Sequence, residues 1–382
     1  MIVERPGIER RILESLQAGR IPVLLGGCAI GRTSLLLRVR DLLGADRSQY
    51  LDFGAAATTP ERCLAAVLAH ATVLPAKAAA SATTPRAAFD ALLSYFDNAA
   101  GPGNVPATFV IDEFLDIRTF ENFPGLRQVA RDLIARLSTS PAGFVLASRF
   151  TYRTHRLLRD APARFEVVHV PPMTTAEVQA FALRFDGGRA DGPASQASLI
   201  ASLTGGRAGY VHLLLEGLTS MGPATDPIAA LASLFSPDGR MTARCRESYE
   251  LRLHRARGYG ALKAILGILA EDEPQNLTEV AHHLQRTPGS TKDYLSWLED
   301  VDVISMHGKR YSYDDPLVRL YVRLYARPVP PTDADIVREV RAYAQARLPQ
   351  AAVPAPVPVA VQNTSIDRAA DPDRASGIIE ID

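Results

Sequence analysis

One segment near the start of the chain combines the residue types that hold a phosphate group. The letters GGCAIGRTS at 26–34 follow the pattern G-x-x-x-x-G-[K]-[ST], with Arg32 in place of the lysine. Glycines let backbone N–H groups face an anion, and a helix that begins at the loop directs its positive end to the same point. We assign phosphate binding to Gly26, Gly27, Cys28, Ala29, Ile30, Gly31, Arg32, Thr33 and Ser34. The Thr33 hydroxyl is the candidate ligand for a magnesium ion in that pattern.

A pair of adjacent carboxylates ends an apolar run further along the chain. Asp112 and Glu113 follow the letters ATFVI at 107–111, whose composition predicts a buried strand. A carboxylate at this place can bind the hydration shell of Mg²⁺, and its neighbour can orient or deprotonate an attacking water. We therefore assign Asp112 to the metal and the nucleotide, and Glu113 to catalysis. Such a pair alone is equally typical of a solvated acidic turn. Because the chain also has a phosphate-binding segment, we favour the catalytic and metal-binding assignment.

The surrounding patterns predict the framework that positions these residues. Apolar residues at helical spacing cover 7–18 and 34–43, and short apolar runs that predict strands cover 21–25, 50–53, 108–111, 143–147 and 165–170. Helical patterns also cover 60–72 and 85–98, joined by a low-complexity stretch at 76–84 that predicts a surface loop. Five buried strands that alternate with helices predict an α/β fold, a parallel sheet with helices on both faces.

The two motifs resemble the Walker A and Walker B motifs of P-loop NTPases, in the branch where the glutamate beside the Walker B aspartate is the catalytic base. This resemblance implies the P-loop NTPase fold, with ATP and Mg²⁺ as cofactors. The strand at 143–147 ends in Ser148, where AAA+ ATPases carry the sensor 1 residue, so the resemblance makes Ser148 a second catalytic candidate.

Later segments resemble the archaeal-type, origin-recognition-like ATPases of the AAA+/STAND group. They are LLRDAPARF at 157–165, IASLTGGRAGY at 200–210, YLSWLEDVDVI at 294–304 and RYSYDDPLVRLY at 310–321. In that group a helical lid carries a Gly-Gly-x-Pro turn, and a winged helix follows. Here Ala208 stands in the place of the proline after Gly205 and Gly206.

The rest of the chain predicts a helical part, a small C-terminal unit and a tail. We expect a nucleotide-binding α/β domain over 1–172, a helical lid over 173–256, a winged helix over 257–330, a helix over 331–348 and a disordered Pro- and Ala-rich tail over 349–382. Within the winged helix, three helical patterns precede two short strand patterns that are joined at His307 and Gly308.

Charge and cysteine content limit the partners and the compartment. The 42 basic and 42 acidic residues cancel, and 258–327 holds eight basic and ten acidic residues, so the predicted winged helix is not basic. DNA stays a possible partner through Lys309 and Arg310, but we favour an unknown protein partner, and a homo-oligomer is compatible with the sequence. Three scattered cysteines and the lack of an apolar run of membrane length predict a cytoplasmic protein without a membrane partner.

The predicted function is that of an ATP-binding AAA+/STAND-like NTPase. It would couple Mg-ATP binding, and slow hydrolysis, to rearrangement of the lid and the winged helix and to control of a partner. Two alternatives remain open, an ATP-switched DNA-binding regulator and a nucleotide-bound scaffold without hydrolysis. Five arginines lie between 149 and 164, a run that is more often a solvated basic face. In AAA+ relatives an arginine after sensor 1 reaches a neighbour's γ-phosphate, so the resemblance makes Arg164 the first candidate for such a finger.

Arg32 generates the first testable prediction. A guanidinium is planar and bulkier than the lysine ammonium, so we expect bound nucleotide but slow hydrolysis, because the transition state demands more exact positioning. Arg32→Lys should raise the rate of phosphate release roughly tenfold. Arg40→Lys, the same exchange further along the predicted helix, is the control. An unchanged rate in Arg32→Lys would contradict the hypothesis.

Overall fold

The computed structural model describes residues 4–73, 84–185, 193–222, 225–254, 256 and 258–348. The tail predicted for 349–382 and nearly all of the loop predicted for 76–84 lie outside these residues. In the part of the chain that the structure describes, no helix combines the length and the apolar character needed to cross a bilayer.

The N-terminal part alternates strands with helices, as the apolar runs predict. Its elements are α1 (Pro6–Gln17), β1 (Ile21–Leu25), α2 (Arg32–Leu43), β2 (Ser48–Asp52), α3 (Phe53–Ala56), α4 (Pro60–Ala69), α5 (Pro85–Asn98), β3 (Thr108–Asp112), α6 (Val129–Thr139), β4 (Gly143–Ser148), α7 (Thr151–Leu158) and β5 (Phe165–His169). Two 3₁₀ helices, Pro102–Asn104 and Phe114–Asn122, flank β3.

The five strands form one parallel sheet in the order β2-β3-β4-β1-β5. In this register Leu25 pairs with Ser148, and Asp52 pairs with Asp112. The carboxyl ends of β1, β2, β3 and β4 therefore meet along one edge, where the segments that leave the strands can form a binding crevice. The predicted α/β fold class is confirmed.

Strand β1 illustrates why the sheet is covered on both faces. All five of its residues are buried, and its side chains alternate between two hydrophobic cores. Ile21, Val23 and Leu25 belong to one core, while Leu24 packs in the other with residues of α1 and α2. A strand with helices on either side needs this continuous apolar run, which is why the run marks it in the sequence.

The C-terminal part is helical apart from three short strands. Its elements are α8 (Thr175–Phe185), α9 (Ala197–Thr204), α10 (Ala208–Met221), α11 (Pro227–Leu234), α12 (Arg240–Leu253), α13 (Tyr259–Glu271), β6 (Gln275–Asn276), α14 (Leu277–Leu284), α15 (Pro288–Asp300), β7 (Ile304–His307), β8 (Arg310–Tyr313), α16 (Pro316–Tyr325) and α17 (Asp333–Gln345), with a 3₁₀ helix at Pro193–Gln196. One hydrophobic core extends through this part, from Met173 to Ala344.

The three helices and the hairpin expected within 257–330 are present. Strands β7 and β8 pair in antiparallel fashion, and β6 adds a third strand beside β8. The turn lies one residue later than predicted, since Gly308 and Lys309 are its residues with positive φ. Strand β6 is only two residues long, too short for a pattern to reveal. The domain boundaries at 172, 256 and 330 stay predictions.

The aromatic cluster under the sheet gives a stability prediction. Phe109 of β3 is fully buried, with its ring centroid 4.7 Å from that of Phe96 and 5.8 Å from that of Phe144. Phe109→Ala removes these contacts and leaves a cavity, so the free energy of unfolding should fall by about 3 to 5 kcal/mol. Urea unfolding followed by circular dichroism measures the loss. Val105→Ala is the control, because Val105 is exposed, and a similar loss in both variants would contradict the prediction.

Candidate functional site

The loop between β1 and α2 exposes backbone donors toward one side. The carbonyl oxygens of Gly26 and Gly27 accept hydrogen bonds from the Arg32 side chain. The Cys28 carbonyl accepts from Arg207, and the Ala29 carbonyl accepts from the Gly209 N–H. Positive φ at Ala29 (58°) and at Gly31 (98°) alternates with ordinary backbone, and this alternation turns successive N–H groups to one side. With the N-terminus of α2 beside it, the loop suits an anion.

Arg32 lies folded against its own loop. Its Nη1 donates to the carbonyl oxygens of Gly26 and Gly27, and its Nη2 donates to Glu113 Oε1 at 2.9 Å. The side chain is 10% exposed. The guanidinium thus connects the phosphate-binding segment to the acidic pair, which the sequence placed in separate motifs.

Thr33 and Asp112 meet, as both assignments to a magnesium ion require. The Thr33 hydroxyl donates to Asp112 Oδ2 at 2.6 Å, and the Tyr50 hydroxyl donates to the same oxygen at 3.3 Å. Burial raises the pKa of Asp112, and the neighbouring Glu113 carboxylate raises it further, against the lowering effect of Thr33 and Arg32. A buried carboxylate oxygen beside a hydroxyl is a donor set that suits a hard cation such as Mg²⁺.

Glu113 is shared by two arginines. Besides its bond to Arg32, its Oε2 accepts from the Arg149 backbone N–H at 2.9 Å and lies 3.0 Å from Arg149 Nε. Burial alone raises the pKa of Glu113, but the guanidinium groups of Arg32 and Arg149 outweigh burial and lower it. The Arg149 Nη2 also donates to Asp116 at 3.1 Å, where burial raises the pKa of the carboxyl to about 6. Glu113 is therefore ionised at neutral pH, the form that a general base requires.

Ser148 is buried at the end of β4, opposite Leu25. Its hydroxyl accepts a hydrogen bond from the Phe150 N–H at 3.1 Å, so it serves the start of α7. The next residue, Arg149, lines the cleft and contacts Glu113. The sensor role of Ser148 stays a prediction, and Arg149 is the residue at this strand end that touches the predicted base.

Two residues that follow the turn at Gly205 and Gly206 contact the phosphate-binding segment. Arg207, the residue after it, donates from Nη1 to Cys28 O at 2.8 Å, and a Cβ at Gly27 would overlap its guanidinium. The Gly209 N–H donates to Ala29 O at 2.7 Å. Sequence reasoning passed over Arg207, although an arginine between a Gly-Gly pair and a helix was a signal for it.

A cleft of about 950 Å³ joins Thr33, the acidic pair and Arg149. Of the residues assigned from the sequence, Cys28, Ala29, Arg32, Thr33, Asp112 and Glu113 line it. This volume is at the upper end of the range for small-molecule sites. The motifs that are separate in sequence therefore share one cleft.

The arginines that follow β4 differ in their contacts. Arg164 donates to backbone carbonyls at Gly19, Leu137, Ser138, Ser140 and Ala142. These bonds occupy its guanidinium, so Arg164 is a structural residue in this chain and a poor candidate for a finger. Arg156 pairs with Asp300 at 3.1 Å, and Arg153 lies over the Phe150 ring.

Comparison with solved structures identifies the fold. A Walker-type ATPase of Pyrococcus abyssi matches with a TM-score of 0.65 and 17% identity, over 84% of this chain and 96% of that one. A STAND protein with a tetratricopeptide repeat sensor from Pyrococcus horikoshii gives 0.35 and 15%, over 88% of this chain and 44% of that one. A RuvB variant of Thermotoga maritima gives 0.42 and 13%, over 86% and 97%.

Neither protein-family models nor curated proteins give a match. The similarity to the Walker-type ATPase extends over nearly the whole of both chains. The chain thus has the fold of a P-loop ATPase, as the two motifs predict.

The shared carboxylate gives a prediction about acidity. Arg149→Met removes one of the two cations beside Glu113, so the pKa of Glu113 should rise toward its ordinary value. A ¹³C NMR titration of labelled glutamate side chains measures it, with Glu113→Gln assigning the signal. Arg118→Met, which removes the partner of Glu121, is the matched control and should leave the pKa of Glu113 unchanged. Equal behaviour of the two variants would contradict the assigned role of Arg149.

Proposed function

We propose that this protein binds Mg-ATP at the segment 26–34 and hydrolyses it slowly, with Glu113 as the general base. The observation that carries the proposal is the hydrogen bond of 2.6 Å between the Thr33 hydroxyl and Asp112 Oδ2, beside an anion-binding loop. Two motifs distant in sequence supply, within one cleft, the donors for a phosphate and the ligands for its cation. The shared fold of a Walker-type ATPase supports the same function.

Thr33 and Asp112 would hold the magnesium ion. The ion, when bound, supplies positive charge that neutralises the phosphate oxygens. Asp112 stays in place because its Oδ1 accepts from the Glu113 N–H at 2.9 Å, and its Oδ2 accepts from Thr33 and Tyr50. A fixed carboxylate loses little conformational entropy when it takes a ligand.

Glu113 is in the ionised form for a base, but its two oxygens are already engaged. Arg32 occupies Oε1 and Arg149 occupies Oε2. Each carboxylate oxygen can accept more than one hydrogen bond, so an attacking water can bind beside these cations, but the low pKa makes Glu113 a weak base. The low pKa favours slow turnover, and it supports a substrate or partner that draws an arginine away.

Contacts between the site and the C-terminal part support coupling of nucleotide binding to rearrangement of the lid and of the predicted winged helix. Asp302, just after α15, accepts from the Thr151 N–H at 2.6 Å, at the start of the helix that follows Arg149. Arg207 reaches the phosphate-binding loop from the start of α10. A ligand that changes either contact favours one arrangement of the parts over another. In this proposal the partner so controlled is a protein, and the compartment is the cytoplasm.

Two further candidates have different support. The double engagement of Glu113 favours a nucleotide-bound scaffold without hydrolysis as the second candidate. A DNA-binding regulator has less support, because Arg310, one of its two expected phosphate contacts, already pairs with Glu279 at 3.3 Å and donates to Pro274 O.

The deciding experiment pairs ATP affinity with phosphate release in the wild type and in Glu113→Gln. Glutamine keeps the size of the side chain but accepts no proton, so ATP binding should persist while phosphate release falls by about a hundredfold or more. Glu121→Gln is the control, since Glu121 lines the same cleft and pairs with Arg118. Binding with equal release in wild type and Glu113→Gln would remove Glu113 as the base, and no release in either would favour the scaffold.

A further inference from the structure

A carboxylate from the C-terminal part lies against the phosphate-binding loop. Asp314 follows strand β8, and its Oδ2 lies 3.2 Å from Arg207 Nη2, which also donates to the Asp314 carbonyl at 2.7 Å. A Cβ placed on Gly27 would lie 3.0 Å from the same Oδ2. The Asp314 carboxylate thus lies beside the phosphate-binding loop, on the side where Arg207 binds the Cys28 carbonyl.

The adjacent carboxylate, Asp315, has a different environment. It is buried and accepts from the Tyr210 hydroxyl at 2.8 Å and from the N–H groups of Leu317 and Val318. These bonds make Asp315 the N-terminal cap of α16, a structural role. Its Oδ2 lies 3.7 Å from Arg207.

Asp314 has no comparable structural task. Its side chain is 39% exposed, and among the described residues Arg207 is its only ion-pair partner. Arg207 itself is 10% exposed. Burial alone lowers the pKa of Arg207, but Asp315 and Asp314 outweigh burial and raise it, so the guanidinium is charged and held between the loop and two carboxylates.

We propose that Asp314 is a positioning residue that competes with nucleotide phosphate for Arg207 and so sets the affinity for ATP. The inference rests on the proposed function, since it takes the loop 26–34 as a nucleotide site. In the structure Arg207 binds Cys28 O and Asp314. A nucleotide brings negative charge to this loop, repels the Asp314 carboxylate and attracts the arginine that the carboxylate holds.

This competition has a structural consequence, because Arg207 and Asp314 belong to different parts of the chain. Arg207 lies at the start of α10, and Asp314 lies at the end of the β7–β8 hairpin. When phosphate takes Arg207, the hairpin loses its ion pair to that turn. By linkage, whatever draws the hairpin away tightens nucleotide binding by the same factor.

The test is a double-mutant cycle on ATP affinity, measured by equilibrium titration of the full chain with Mg-ATP. Asp314→Asn should tighten ATP binding roughly tenfold, a typical size for such coupling. Arg207→Gln should weaken it, and in the Arg207→Gln background the Asp314→Asn exchange should have little further effect. Asp314→Glu keeps the charge and should keep the affinity of the wild type for ATP.

Asp293→Asn is the matched control, because it removes one exposed carboxylate from α15, while Arg207 pairs with Asp314 and Asp315. It should leave ATP affinity unchanged. Thermal melting of each variant checks folding. If Arg207→Gln fails to fold, the comparison of Asp314→Asn with Asp314→Glu still decides.

Three results would overturn the inference: no tightening in Asp314→Asn, equal tightening in Asp314→Glu, or the same tightening with and without Arg207. Failure of the proposed function looks different, because the wild type and every variant would then fail to bind ATP. Binding by the wild type with no response to Asp314→Asn removes this inference alone.

Discussion

The cleft depends on one electrostatic interaction, in which two partly buried arginines are held by the same carboxylate. Arg32 and Arg149 share Glu113, and Arg149 also takes Asp116. Breaking such a pair by removing one partner leaves an uncompensated charge at high cost, so the network holds its members in place. The same bonds fix the phosphate-binding loop to the strand end that carries the acidic pair. They also engage both oxygens of Glu113, the carboxylate proposed as the base.

A second pair of opposite charges secures the other side of the loop. Arg207 joins Cys28 O to Asp314, and so joins the α/β part to the C-terminal hairpin. Asp302 provides another link by accepting the N–H groups of Thr151 and Tyr152. Buried residues between Met173 and Ala344 share one hydrophobic core, so both links end beside the same packed core. These contacts connect the loop and the start of α7 to the C-terminal part.

Most of the framework follows from local pattern, and the exceptions have physical reasons. Five apolar runs marked the five strands because a strand covered on both faces needs continuous apolar residues. Local patterns give no range for helices α3, α6 and α7 or for strand β6. In α7 one buried residue, Thr154, is polar, and β6 has only two residues. The role of Arg164 depends on carbonyl groups of segments distant in sequence, which a local pattern does not show.

By itself the sequence determined the fold class and predicted the chemistry of the phosphate segment, because glycine spacing, a hydroxyl and adjacent carboxylates are local features. It also paired Thr33 with Asp112 correctly, since both follow strands of one parallel sheet. Only the tertiary structure decided where the long arginine side chains end. A guanidinium on a flexible stem has many possible partners, and the choice among them depends on which carboxylates and carbonyls folding brings within reach. That choice gave Arg32 and Arg149 to Glu113, and Arg207 to Asp314.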